Sequence, residues 1–125
     1  MTDLKLKQFK HEIESWKRSL GFMMEENVYL KNRLSDLLKE NFRTNLLEEA
    51  ENYQTYFLNE DKLIGLLRNE IAELEKLLIR QAFENEKFEK EIEKKIKQLR
   101  KSITDIGTQF GKLKSKFNTY MSEQI

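Results

Sequence analysis

Residues 79–91 read IRQAFENEKFEKE, and whether the chain turns inside them separates two very different molecules. On their N-terminal side runs a heptad seam. Ala50, Phe57, Ile64, Ile71 and Leu78 occupy its a positions, and Leu46, Tyr53, Glu60, Leu67 and Leu74 its d positions. Carried forward, that frame puts Gln81, Asn85 and Lys95 in the seam. The next seam instead needs Ile96, Ile103, Phe110 and Phe117 at a, with Ile92, Leu99, Ile106, Leu113 and Tyr120 at d, and it lapses at Gln124. The frame therefore slips between residues 80 and 92. A slip marks either a turn or a stutter within one long helix. No glycine or proline in the segment forces a turn.

Length decides between them. A turn near residue 83, with a loop near 40–45, leaves helices over 4–40, 45–81 and 85–121, each about 55 Å long at 1.5 Å per residue. An unbroken helix over 45–121 would measure about 115 Å, and its far half would find nothing of its own chain to pack on. The loop near 40–45 is read from the lapse of the seam at Asn41 and Thr44, and from Asn45 followed by Glu48, which resembles a capping box.

The first helix is read from residues 24–38, MEENVYLKNRLSDLL, and their surroundings. Phe9, Ile13, Trp16, Leu20, Met23, Asn27, Leu30, Leu34 and Leu37 follow in alternating steps of four and three, and only Asn27 is polar. A sustained repeat of this kind is a coiled-coil seam. Strand-like alternation appears nowhere. The expected fold is all-α: one domain over residues 1–125, an elongated antiparallel three-helix bundle with coiled-coil (heptad) packing.

Charge points the same way. Residues 40–75 hold nine acidic groups against three basic ones, and residues 94–116 hold eight basic groups against Asp105. A reversal near residue 83 would lay Glu48–Glu51 beside Lys112–Lys116, and Glu70–Glu75 beside Lys94–Lys97. Exposed pairs add little stability individually, but such a pattern selects one pairing over another.

Composition bounds the function. The 125 residues include no cysteine or proline, four glycines, one histidine and a net charge of +1. Disulfides and cysteine chemistry are excluded. His11 alone cannot build a histidine-based zinc or di-iron site within one chain. Glycine-rich phosphate loops and nucleophile–base constellations are missing, so no enzyme, cofactor, metal site or small-molecule substrate is expected. No segment approaches the ~20 apolar residues of a membrane helix, and the first twenty residues have no apolar core suited to a signal peptide. The expectation is a cytoplasmic chain with no membrane partner.

Two features remain as candidate sites. A reversal near residue 43 brings Asn27 level with Asn59 and Glu60, so these three are expected to share a buried polar layer. The competing reading pairs Asn27 with a symmetry mate in a dimeric zipper. On the other side of helix one, Gly21 and Val28 fall at b, Phe22 and Tyr29 at c, and Met24 at e. A helix apolar around so much of its circumference needs more neighbours than two, so Gly21, Phe22, Met24, Val28 and Tyr29 form the candidate interface. The expected function is non-catalytic: a small scaffold, adaptor or assembly factor that binds a protein partner or a second copy through helix one. The alternative is a nucleic-acid-associated accessory protein using the basic third helix. It is disfavoured because Lys94, Lys95, Lys97, Arg100 and Lys101 spread around the helix and make no stripe.

Overall fold

The computed structural model describes residues 1–40, 44–84 and 88–124, with side chains over 46–81 in the middle stretch. They form three helices, α1 (Asp3–Glu40), α2 (Thr44–Glu84) and α3 (Glu89–Glu123), and no strand occurs among the described residues. The fold is an all-α three-helix bundle. Consecutive helices are antiparallel, so α1 and α3 run parallel, and α2 packs closely on both.

Each helix begins for a local reason. Thr2 caps α1, its Oγ1 accepting the N–H of Lys5 at 3.1 Å, and Asp3 in the first turn suits the positive end of the helix dipole. The start of α2 at Thr44 puts Asn45 inside the helix rather than ahead of it. The side chain of Asn45, like residues 41–43, lies outside the described residues. Glu89 and Glu91 stand in the first turn of α3, whose N-cap residue Phe88 makes no capping bond with its own side chain.

The second reversal comes later than expected. α2 runs on to Glu84 and α3 begins at Glu89, four residues past the expected start. Gln81, a polar residue in the extended seam, is buried and accepts the backbone N–H of Phe88 through Oε1 at 3.0 Å. One residue earlier, the Arg80 guanidinium lies 5.4 Å from the centre of the Phe88 ring. The last described turn of α2 thus grips the first residue of α3 with side chains.

The seam residues are the core. One cluster gathers Ile13, Trp16 and Leu20 of α1 with Ile64, Ile71 and Leu74 of α2 and Ile92, Ile96 and Leu99 of α3. A second gathers Leu30 and Leu34 with Phe57, Phe110 and Phe117. In the second, Tyr53, Phe57, Phe117 and Tyr120 meet as an aromatic nest, with Phe57 edge-on to Phe117 at 5.1 Å. Phe9, Met23, Tyr53, Ile103 and Leu113 are only partly buried.

Ion pairs lie along two of the three seams. Between α1 and α3 stand Lys5–Glu93, Glu12–Arg100 (Nε–Oε1 2.6 Å and Nη2–Oε2 2.9 Å) and Glu26–Lys114 at 2.6 Å, each pair 88 residues apart. Between α1 and α2 stand Lys17–Glu75 at 2.7 Å and Lys31–Asp61 at 2.6 Å. The expected pairing of acidic α2 with basic α3 is not found. Every interhelical ion pair among the described residues has a partner on α1 or at the N-terminus. The clusters still face each other, Glu49 with Lys112 and Lys116 and Glu70 and Glu73 with Lys95, but across open grooves between α2 and α3 rather than at ion-pair distance.

A thiol cross-linker tests the second reversal in a chain with no native cysteine. Glu49 and Lys112 are exposed and line one groove between α2 and α3. Glu49→Cys with Lys112→Cys should be bridged within one molecule by a flexible bismaleimide, read by gel mobility and mass. A continuous second helix would hold the two about 95 Å apart and give no such product.

Candidate functional site

The polar layer forms around Asn27, but with different partners from those expected. Asn27 is wholly buried. Its Nδ2 donates to the Phe57 carbonyl and to Asp61 Oδ1, both at 2.8 Å. Phe57 and Asp61 are one helical turn apart, so the amide spans a turn of α2. Lys31, one turn beyond Asn27, donates to the other carboxylate oxygen of Asp61 at 2.6 Å. Asn27, Asp61 and Lys31 therefore make one polar clasp between α1 and α2.

Glu60 is buried and Asn59 is exposed. Asn59 does not enter the layer. It sits at c, on the outer side of the helix from Glu60 at d, so a residue level with Asn27 along the axis still faces away from it. Asp61, at e, flanks the seam and reaches α1. Burial pushes the Glu60 carboxyl above the usual carboxylate range, and the neighbouring Asp61 charge adds to the rise.

The candidate interface on α1 divides in two. Phe22, Val28 and Tyr29 are exposed, Phe22 at 66% and Tyr29 at 56%. Gly21 and Met24 turn toward α2. A Cβ on Gly21 would stand 3.8 Å from Arg68 Nη2, and Arg68 Nη1 approaches Met24 Sδ at 3.7 Å. Met24 also packs partly buried against the core. Its e position explains this, since the e residues of α1 face the e residues of α2. The Arg33 guanidinium lies 5.9 Å from the Tyr29 ring centre and 5.7 Å from that of Phe117, tying Tyr29 to the aromatic nest through one cation.

The α2/α3 seam was not anticipated as a surface. It carries no ion pair among the described residues and leaves Tyr56, Leu63 and Leu66 exposed. A groove of about 700 Å³ runs along one end, lined by Tyr53, Tyr56, Lys112 and Lys116 among others, and one of about 330 Å³ near Leu66, Glu70 and Lys95. The apolar g positions of the second helix carry this signal in the sequence. Bundle packing is expected to absorb them, yet Tyr56 and Leu63 stay exposed.

Chemistry-bearing clusters are sparse. Among the described residues no three His, Asp or Glu side chains lie together as metal ligands, and His11 is exposed. Among the described residues no helix is long and apolar enough to cross a membrane. Comparison with known proteins returns no match: no family model fits the chain, and no curated protein or solved structure resembles it significantly.

Asp61 is the residue whose loss should be felt most in the clasp. Asp61→Ala takes one acceptor from a buried amide and the ion-pair partner that Lys31 has among the described residues, and should lower stability by about 1–3 kcal/mol. Lys31→Ala removes only a half-exposed cation and should cost less, about 1 kcal/mol or below. Urea unfolding followed by circular dichroism reads both values.

Proposed function

We propose that this chain is a non-catalytic protein-interaction protein, a small cytoplasmic scaffold, adaptor or assembly factor whose coiled-coil layers hold helix faces out to a partner. The observation that carries the reading is the exposed apolar set on α1: Phe22 and Tyr29 seven residues apart, with Val28 beside them. Two large rings on one outer face of a rigid helix suit a contact that buries them, because aromatic anchors supply much area at little entropic cost. The first occupant to test is a second copy of the chain, which would cover the same face on both protomers.

A nucleic-acid role through α3 has less behind it. Arg100 and Lys114 are committed to Glu12 and Glu26, and Lys94, Lys97 and Lys101 remain spread around the helix. Binding of that kind would weaken steeply with salt.

Light scattering on the purified chain checks the proposal. The wild type should show a dimer mass, and Phe22→Glu with Tyr29→Glu should return it to monomer with helicity unchanged by circular dichroism. A wild type that stays monomeric at every concentration would rule out self-association through α1.

A further inference from the structure

Among the described residues, two buried side-chain atoms have no hydrogen-bond partner: Asn27 Oδ1 and Glu60 Oε2. They belong to the same turn of the bundle, because the Asn27 amide bridges Phe57 and Asp61, the residues on either side of Glu60 in that turn. Both of the amide hydrogens are already used there, so Asn27 has only an acceptor left. Ionised, Glu60 also has only acceptors. Two buried oxygens in one layer of the bundle, each without a donor, cost about 1–3 kcal/mol each.

The surrounding charges offer Glu60 no relief. From α2, Asp61 is an anion. From α1, Lys31 is committed to Asp61 at 2.6 Å. Between α1 and α3, Glu26 and Lys114 are paired with each other at 2.6 Å. An ionised Glu60 would therefore sit 7% exposed beside a second carboxylate, and the cation of its own turn of α2, Lys62, is exposed, two residues round the helix from the buried Glu60. A single proton changes this, because it turns one of the orphaned acceptors into a donor.

We propose that the Asn27–Glu60 layer is a proton-binding site, in which Glu60 is a neutral carboxylic acid whose hydroxyl donates to Asn27 Oδ1, and that the closed bundle requires this proton. The reaction is protonation alone: a proton from solvent bonds to one carboxylate oxygen, and nothing is oxidised or transferred. The upward push on the Glu60 carboxyl from burial agrees with this arrangement. The sign of the linkage follows. Because the folded chain holds the proton more tightly than the unfolded chain, the contribution is complete below the ordinary carboxylate range. It is lost as pH rises through the folded value. The bundle is thus tightest in acid and loosens toward neutral and alkaline pH at this one layer.

Three measurements on the full chain test the proposal. Urea unfolding between about pH 5 and about pH 8 should show the wild-type unfolding constant rising by up to tenfold per pH unit while the unfolded chain has lost this proton and the bundle still holds it, and levelling off once Glu60 ionises in the bundle. Glu60→Gln, whose amide donates as the acid would, should remove that rise. An identical pH slope in both chains overturns the proposal. Asn27→Leu, made alone and with Glu60→Gln, should give non-additive changes in unfolding constant, and additive changes overturn the hydrogen bond. The carboxyl-carbon resonance of Glu60 in the wild type should titrate above the ordinary carboxylate range, independently of whether either variant folds. Titration at the ordinary value overturns the site itself.

Discussion

The bundle depends on three apolar seams that none of its helices can bury alone. Isolated helices gain little from propensity, so most of their stability comes from covering an apolar face. Here the face of each helix is covered by the other two. Phe57, Phe117, Leu20, Leu34 and Ile96 all lie almost fully inside. This shared burial makes the reversals obligatory even where the chain has no residue specialised for turning. At the second reversal, Gln81 and Arg80 hold Phe88 in the role that a glycine or a capping hydroxyl usually fills.

Apolar seams specify which faces meet but fix the axial register only loosely, since a slip of one heptad places leucine on leucine again. The ion pairs between α1 and α3 supply what the seam lacks. Their sense reverses once along the helix: Lys5 meets Glu93, whereas Glu12 meets Arg100 and Glu26 meets Lys114. A slip of seven residues one way would oppose Lys5 to Arg100, and the other way Glu12 to Glu93. Each pair is weak where it stands, but each alternative register carries a repulsion, so the set discriminates more than it stabilises. The polar clasp of Asn27, Asp61 and Lys31 does the same between α1 and α2.

The helices and nearly all of the buried residues were legible from the heptad pattern, because a period of three and four is imposed by the geometry of covering one face. What escaped was set by finer distances. The turn after α2 fell a few residues late because nothing in IRQAFENEKFEKE announces a break, and the charge clusters of α2 and α3 face each other across grooves without forming ion pairs among the described residues. Asn59 was placed in the polar layer by its height along the axis, but rotation around the helix axis decides burial. Asp61, one position past Glu60, is angled correctly and was overlooked. The same distinction separates Met24 and Gly21, which lean on α2, from Phe22 and Tyr29, which do not.

With an odd number of helices, the two ends of the chain lie at opposite poles. The Met1 amine is paired with Glu89 at 3.4 Å, beside the second reversal, whereas the Tyr120 hydroxyl reaches the Leu46 carbonyl near the first. A hairpin or a four-helix bundle returns its termini to one side, where attached segments crowd each other. In this architecture, anything continuing from one terminus departs about 50 Å from anything continuing from the other, given the rise of a helix of this length.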